Sequence, residues 1–347
     1  MQIQARAAAF VAAAVFLAGA PVAVAAPKTD VVVMVNGDRL TGEVKGLERG
    51  KLSFKTDATG TIEIEWDKVA RLQTTQYVQV ELTSGSRHAG RVPTAEADGR
   101  LLVKPLKDSP GRDLALADVV RIAPIERGGL TERLDGYVSA GYDYAKSTGI
   151  QQLTFSGGLE TRDERRQWAL DGSSTLTQQR EVEDTERFDL SGAYRHFLAG
   201  RSFAQGFVTL EGNDELGLDL RTTVGAAYGH FVLQDRVQEW ATYGGVALTR
   251  EDYDTETEEN VEAVLGTQYW LFVYDSPEAS LDARLNVFPS LTDFGRIRSD
   301  GRLRARIELV SDLFWELSLY GTYDTDPGDE ARSPSDYGVV TSLGYTF

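Results

Sequence analysis

From residue 134 onward the chain alternates. Leu134, Gly136, Val138, Ala140, Tyr142 and Tyr144 fall on every second position, with Asp135, Ser139 and Asp143 between them. Leu153, Phe155, Gly157 and Leu159 repeat the pattern, and so do the rows beginning at Trp240, Val261, Leu303 and Leu313. A period of two with one apolar face marks a β-strand. Twelve such rows follow one another, the last running from Tyr337 to Phe347. Their spacing is that of a transmembrane barrel with short turns. The connections alternate as well. Residues 178–187, 251–260 and 324–336 read as long acidic loops, whereas 198–201, 275–277 and 311–312 read as short turns. An even strand count puts both chain ends on the short-turn side, the periplasmic one in such a barrel. Trp168, Trp240 and Trp315 each follow a short turn and Trp270 precedes one, which groups four tryptophans as an interfacial girdle. Trp270 fits least well, because it shares parity with Gln268 and Gly266 on the inward row. Tyr345 and the terminal Phe347 resemble the closing-strand signal read by the barrel-assembly machinery.

Ahead of the barrel lies an internal repeat. Val33-x-Val35-Asn36-Gly37, Gly50-Lys51-Leu52 and Val69-Ala70-Arg71-Leu72 match Val80-x-Leu82-x-x-Gly85, Gly99-Arg100-Leu101 and Val119-Val120-Arg121-Ile122. Each copy is a series of short strands broken by turn signals such as Asn36-Gly37 and Asp98-Gly99. The expectation is two small SH3-like or Sm-like β-modules, 26–76 and 77–127, sharing a core because units this small are marginal alone. Trp66 reads as a core residue rather than a binding residue. The fold class is therefore all-β: a transmembrane antiparallel barrel of about twelve strands over residues 128–347, preceded by two SH3-like modules.

The first residues change the compartment. Arg6, the apolar run from Ala7 to Ala20 and the small-x-small motif Ala23-Val24-Ala25 predict a signal peptide over 1–25. No cysteine is present, so neither a disulfide framework nor a lipidated cysteine enters. No stretch after the signal reaches the length of a membrane helix. If the exported protein enters a membrane, it does so as a closed barrel, where every backbone polar group is paired. Net charge is −17, and residues 28–127 are close to balanced, so nearly all of it lies in 128–347. That shift places a hinge at Gly128-Gly129 and argues against nucleic acid as a partner.

Candidate chemistry concentrates inside the barrel. Arg298, Arg302, Arg304 and Arg306 share one face of the tenth row, and Arg284 lies on the row before. Such a set either guides anions through a narrow channel or is neutralised by lumen carboxylates such as Asp171, Asp189, Asp282 and Glu316 to form a plug. The plug is favoured. None of the three histidines is followed at +2 by serine, the one-strand pairing that lipid hydrolases of outer membranes use. No His/Cys metal cluster and no phosphate-binding glycine loop occurs. The acidic set Asp324, Asp326, Asp329 and Glu330 is too loosely spaced for a calcium loop. No catalytic residue, cofactor or metal is expected.

The segment Asn36-Gly37-Asp38-Arg39-Leu40-Thr41-Gly42, with Gly50-Lys51-Leu52 and Trp66-x-Lys68-Val69, resembles the one found ahead of the salt-induced outer-membrane proteins. These form the domain-of-unknown-function family 481, including the YdiY-like proteins. The barrel segment up to Gly344-Tyr345-Thr346-Phe347 is similar in length and ending. The second repeat departs from the usual single module. The resemblance implies an outer-membrane location with the N-terminal module in the periplasm, and outer-membrane lipid and the assembly machinery as partners. A periplasmic protein or cell-wall partner is expected for the module. It carries over no catalytic residues. The functional expectation is a non-enzymatic envelope or salt-stress barrel, with an arginine-lined anion channel second and a lipid-modifying enzyme third.

Overall fold

The computed structural model describes residues 29–95, 97–105, 110–125, 135–145, 149–162, 165–179, 184–214, 217–253, 257–274, 277–310, 313–326 and 334–345. The expected signal peptide, the Gly128-Gly129 hinge and the terminal Phe347 lie outside them.

The N-terminal unit is built from β1 (Asp30–Met34), β2 (Arg39–Glu48), β3 (Lys51–Lys55), β4 (Thr61–Glu65), β5 (Val69–Leu82), β6 (Arg87–Val92), β7 (Arg100–Val103), β8 (Arg112–Ala115) and β9 (Val119–Pro124). Short 3-10 turns at Trp66–Lys68 and Leu116–Asp118 introduce β5 and β9, so both copies end in the same strand–turn–strand order. Arg49 and Gly50 take left-handed backbone angles (φ 50 and 72) to close the β2–β3 hairpin. The expected division between Gln76 and Tyr77 falls inside β5, whose pairing with β6 shifts register between Thr74 and Val78. One sheet, ordered β1-β5-β9-β2-β3-β4, therefore runs through both copies. One core serves both: Val32, Val44 and Phe54 from the first, Val80, Leu101 and Ile122 from the second. The two equivalent turns touch, since Trp66, only 2% exposed, donates its indole N–H to the Leu116 carbonyl at 2.9 Å. Asp30 is buried but satisfied, accepting from the Val44 and Thr75 amides and from the Gln76 side chain.

The second unit is a twelve-stranded antiparallel meander: β10 (Asp135–Ala145), β11 (Ile150–Arg162), β12 (Arg166–Gln178), β13 (Thr185–Phe197), β14 (Ser202–Asn213), β15 (Leu218–Gln234), β16 (Gln238–Tyr253), β17 (Thr257–Val273), β18 (Ala279–Pro289), β19 (Ile297–Val310), β20 (Leu313–Asp324) and β21 (Ser335–Tyr345). Each strand pairs with the next in chain order. Among the described residues no pairing joins β10 to β21, so the sheet carries two edges. It curls enough for strands two apart to meet: Tyr243 of β16 bonds Asn286 of β18, and Arg298 of β19 reaches Glu262 of β17.

The acidic stretch 251–260 is not a long loop. β16 continues to Tyr253 and β17 starts at Thr257. The physical reason lies inside the curl, where Glu251 and Glu262 are each 1% exposed and find guanidinium partners. Their charge signals interior ion pairing rather than solvated loop.

Candidate functional site

The outward face of the meander is apolar in its middle and polar at its ends. On β16 the outward row runs Trp240, Thr242, Gly244, Val246 and Leu248, then turns charged at Arg250 and Asp252. Val246 and Leu248 are 55% and 61% exposed, and Val224, Leu265 and Leu285 are exposed beside them on neighbouring strands. Arg250 pairs with Asp252 at 3.1 Å and with Glu259 at 3.2 Å at the far rim. At the short-turn rim Trp168 lies 4.4 Å from Tyr194, ring centre to ring centre. Trp240 and Trp315 there donate to Thr267 and Thr341. Three of the four girdle tryptophans thus face outward at one end. Trp270 does not: its ring lies under the Arg49 guanidinium of the N-terminal unit, 4.7 Å from the ring centre. Parity was the correct guide for this residue, because a period of two puts it inside.

The far end of the interior is tied by Arg296, a residue that sequence reasoning passed over because it lies in the β18–β19 connection. It is 4% exposed and reaches Glu251 at 2.8 Å, Glu258 at 2.7 Å and Asp324 at 2.8 Å. Glu251 also takes Arg221 at 2.5 Å. Arg298 pairs with Glu262 at 2.6 Å and bonds the Thr249 hydroxyl. These ion pairs draw together β15, β16, β17, β19, β20 and the β18–β19 connection. Asp324, expected in a loose acidic set, is held by Arg296, and no group of three or more metal-ligating side chains occurs among the described residues.

The arginine row divides. Arg298 is paired, whereas Arg284, Arg302, Arg304 and Arg306 have no ion pair among the described residues. Arg284 and Arg302 are direct cross-strand neighbours of like charge, and Arg306 stacks on Phe314 at 3.6 Å. Two of the carboxylates expected to neutralise them act elsewhere. Asp282 pairs with Arg49 at 3.1 Å, and Asp189 accepts from Ser173.

The short-turn mouth is covered by the N-terminal unit. Arg201, in the β13–β14 turn, donates to the Thr83 carbonyl at 2.8 Å, and Arg87 donates to the Leu198 carbonyl at 3.1 Å while stacking on Phe197 at 4.5 Å. Gly85 (φ 76) lies against the backbone of Gly200 and Arg201 so closely that a Cβ would collide with it. Lys51 sits over the Tyr274 ring at 4.0 Å, and Arg121 lies 3.9 Å from Glu239. Burial alone would lower the Arg121 pKa, but the carboxylates of Glu48, Glu239, Glu81 and Glu160 outweigh it and hold the guanidinium above its ordinary value. Between the two units a cavity of about 360 Å³ remains. It is bounded by β2, β5 and β9 on one side and by the ends of β11, β12, β13, β15, β16 and β17 on the other.

A pair missed in the sequence lies on the outward face of the short-turn end. Ser202 Oγ is 3.1 Å from His230 Nδ1 and accepts from the Tyr228 hydroxyl at 2.8 Å. A search at +2 along one strand cannot find it, because the two residues are cross-strand partners on β14 and β15. No carboxylate orients the imidazole among the described residues, so the set stops short of a triad.

Fold and faces together define an all-β protein, a twelve-stranded antiparallel meander curled around a polar, ion-paired interior and joined to a small β-unit at one mouth. Residues 138–347 match the family model described as protein of unknown function, DUF481, and the chain belongs to that family. Comparison with curated proteins and with solved structures gives no match.

Proposed function

We propose that the protein is a non-enzymatic outer-membrane β-barrel of the salt-induced, YdiY-like kind whose periplasmic mouth is capped by its own tandem SH3-like module. The membrane reading is supported by the exposed apolar band between an aromatic rim and a charged rim, since a soluble sheet would cover such a band. The observation that carries the capping is the seam: Gly85 against Gly200, Arg201 on the Thr83 carbonyl and Arg49 on Asp282. The ion pairs of Arg296 and Arg298 narrow the opposite end, so the resting barrel conducts little. In this reading the module is both cap and periplasmic interaction surface.

A second reading has its own observation. Arg284, Arg302, Arg304 and Arg306, without ion pairs among the described residues, would line a path for anions once the cap moves.

Conductance of refolded protein in planar bilayers tests both. The full chain should be nearly silent, and Gly85→Val, which pushes the module off Gly200, should show stepwise current. Equal current in the two proteins contradicts the cap. Anion-selective current in the unmodified chain that falls in an R302Q/R304Q/R306Q variant establishes the channel reading instead.

A further inference from the structure

The aromatic rim at the short-turn end has a gap. The outward rows of β12, β16 and β20 carry Trp168, Trp240 and Trp315 near their start. The outward row of β14, between the first two, opens with Ser202 and Ala204 instead. A hydrogen-bonded chain of polar side chains fills the gap. Tyr228 on β15 donates to Ser202 at 2.8 Å, and Ser202 Oγ lies 3.1 Å from His230 Nδ1. His230 is in register with Thr242, the outward residue next after Trp240, so the chain stands at the depth of the tryptophans. Toward the middle of the same two strands Val208 and Val224 are cross-strand partners, 40% and 51% exposed.

Counting protons shows what the chain lacks. Tyrosine, serine and a neutral imidazole bring three donor protons, and the two internal bonds use two of them. One donor is left in either tautomer of the ring. It is the Nε2–H when Nδ1 accepts from serine, and the Ser202 O–H when Nδ1 donates to it. None of the three makes a further side-chain hydrogen bond among the described residues. The spare donor faces outward beside an apolar band, where an unmade hydrogen bond is costly. Positive charge is adjacent. Arg201, the residue before Ser202, donates to the Val232 carbonyl at 3.2 Å, two residues beyond His230, and has no ion pair among the described residues. A donor and a cation at the edge of an apolar surface match an anionic acceptor that carries hydrocarbon.

We infer that Ser202, His230 and Arg201, with Tyr228 behind them, bind the phosphodiester of one glycerophospholipid at the short-turn rim, its acyl chains running along Val208 and Val224. The spare donor meets one phosphate oxygen, and Arg201 supplies the counter-charge. Headgroup at the rim and chains toward the middle is the orientation of a lipid in the leaflet on that side. A free phosphate ion would use the same donors but leaves the exposed Val208 and Val224 uncovered, so the lipid is the better occupant. The inference rests on the membrane reading proposed above.

Native mass spectrometry of the full chain refolded in dodecyl maltoside micelles tests it with three probes. These are dioleoylphosphatidylglycerol, dioleoylglycerol, which has the same chains and no phosphate, and inorganic phosphate. One phosphatidylglycerol should stay on each chain, dioleoylglycerol should be lost, and excess phosphate should not displace the lipid. A Ser202→Ala/His230→Phe variant changes only outward side chains and keeps a ring at the rim. It should hold the phosphatidylglycerol about tenfold less tightly. Equal retention of the two lipids by the unmodified chain, which needs no variant to fold, overturns the inference. Release of the lipid by phosphate, which marks a site for the free anion, overturns it too, as does a variant that binds as tightly as the parent. Refolding into dioleoylphosphatidylcholine vesicles tests the barrel separately. A chain that gives a heat-modifiable band there but holds both lipids alike loses the headgroup site and keeps the barrel. A chain that gives no such band loses the membrane reading, and the site falls with it.

Discussion

At the scale of single residues, the N-terminal unit depends on one indole. Trp66 closes the core and satisfies the buried Leu116 carbonyl, tying equivalent turns of the two repeats. Trp66→Phe keeps most of the apolar area and removes the donor, so it should cost about 1–3 kcal/mol of unfolding free energy. Urea unfolding of the docked unit within the full chain measures this, and an unchanged midpoint contradicts the role given to the N–H. His88, in β6, adds a pH dependence. Burial, and secondarily Arg112, hold its pKa below the ordinary 6.5. The folded state then takes up the proton less readily than the unfolded one. The stability contributed by the neutral ring is present above about pH 6.5 and is lost as pH falls below it. The urea midpoint of this unit should drop between about pH 7.5 and 5.5, and His88→Gln should flatten that drop. A midpoint that rises on acidification has the wrong sign.

At the scale of elements, strand rows are legible in the sequence because an apolar face imposes its period of two on local spacing. The rows from Trp240 to Leu248 and from Val261 to Leu271 lie within β16 and β17. What local spacing does not carry is the pairing of side chains across strands. Glu251 and Glu258 have the composition of a solvated loop until Arg221 and Arg296 are brought to them. Arg296 sits outside any row, so no period marks it, and Ser202 meets His230 only through register. Trp270 was readable, because its parity already named the inside; grouping by distance from a turn overruled it. The ion pairs at the far rim make a testable claim about β16, β17 and β20. Arg296→Met removes the cation shared by Glu251, Glu258 and Asp324; Glu251 keeps Arg221, but the half-buried Glu258 and Asp324 lose their guanidinium partner, which costs up to about 3–5 kcal/mol. The temperature at which the folded barrel band converts to the unfolded band on gels should fall clearly. A conversion temperature equal to that of the parent would show that these pairs add nothing net.

At the scale of the whole molecule, two units meet through a seam in which Arg49 on Asp282, Gly85 on Gly200 and Arg201 on Thr83 join residues far apart in sequence. The charge break near residue 128 marks the division between the units but not that one covers the mouth of the other. The account as a whole requires the meander to close. β15, β16 and β17, of 17, 16 and 17 residues, exceed the 9–11 residues that span a bilayer, so in the proposed membrane barrel their ion-paired ends would lie at the surface. Among the described residues β10 and β21 are left as unpaired edges, which hydrocarbon would not tolerate. Both run antiparallel at opposite ends of an even-numbered meander, the geometry that permits them to pair. The native chain has no cysteine, so an engineered disulfide reports on that pairing without background. Ser139→Cys on the inward face of β10 can be combined in turn with Gly338→Cys, Val340→Cys and Ser342→Cys on the inward face of β21. A closed barrel brings one of these pairs within the roughly 4.4–6.8 Å Cα separation of a disulfide. The account predicts that one pair forms an intramolecular cross-link in outer-membrane preparations and holds the band at its folded mobility after heating. Cross-links only between copies, or none in any of the three combinations, would contradict closure and with it the barrel.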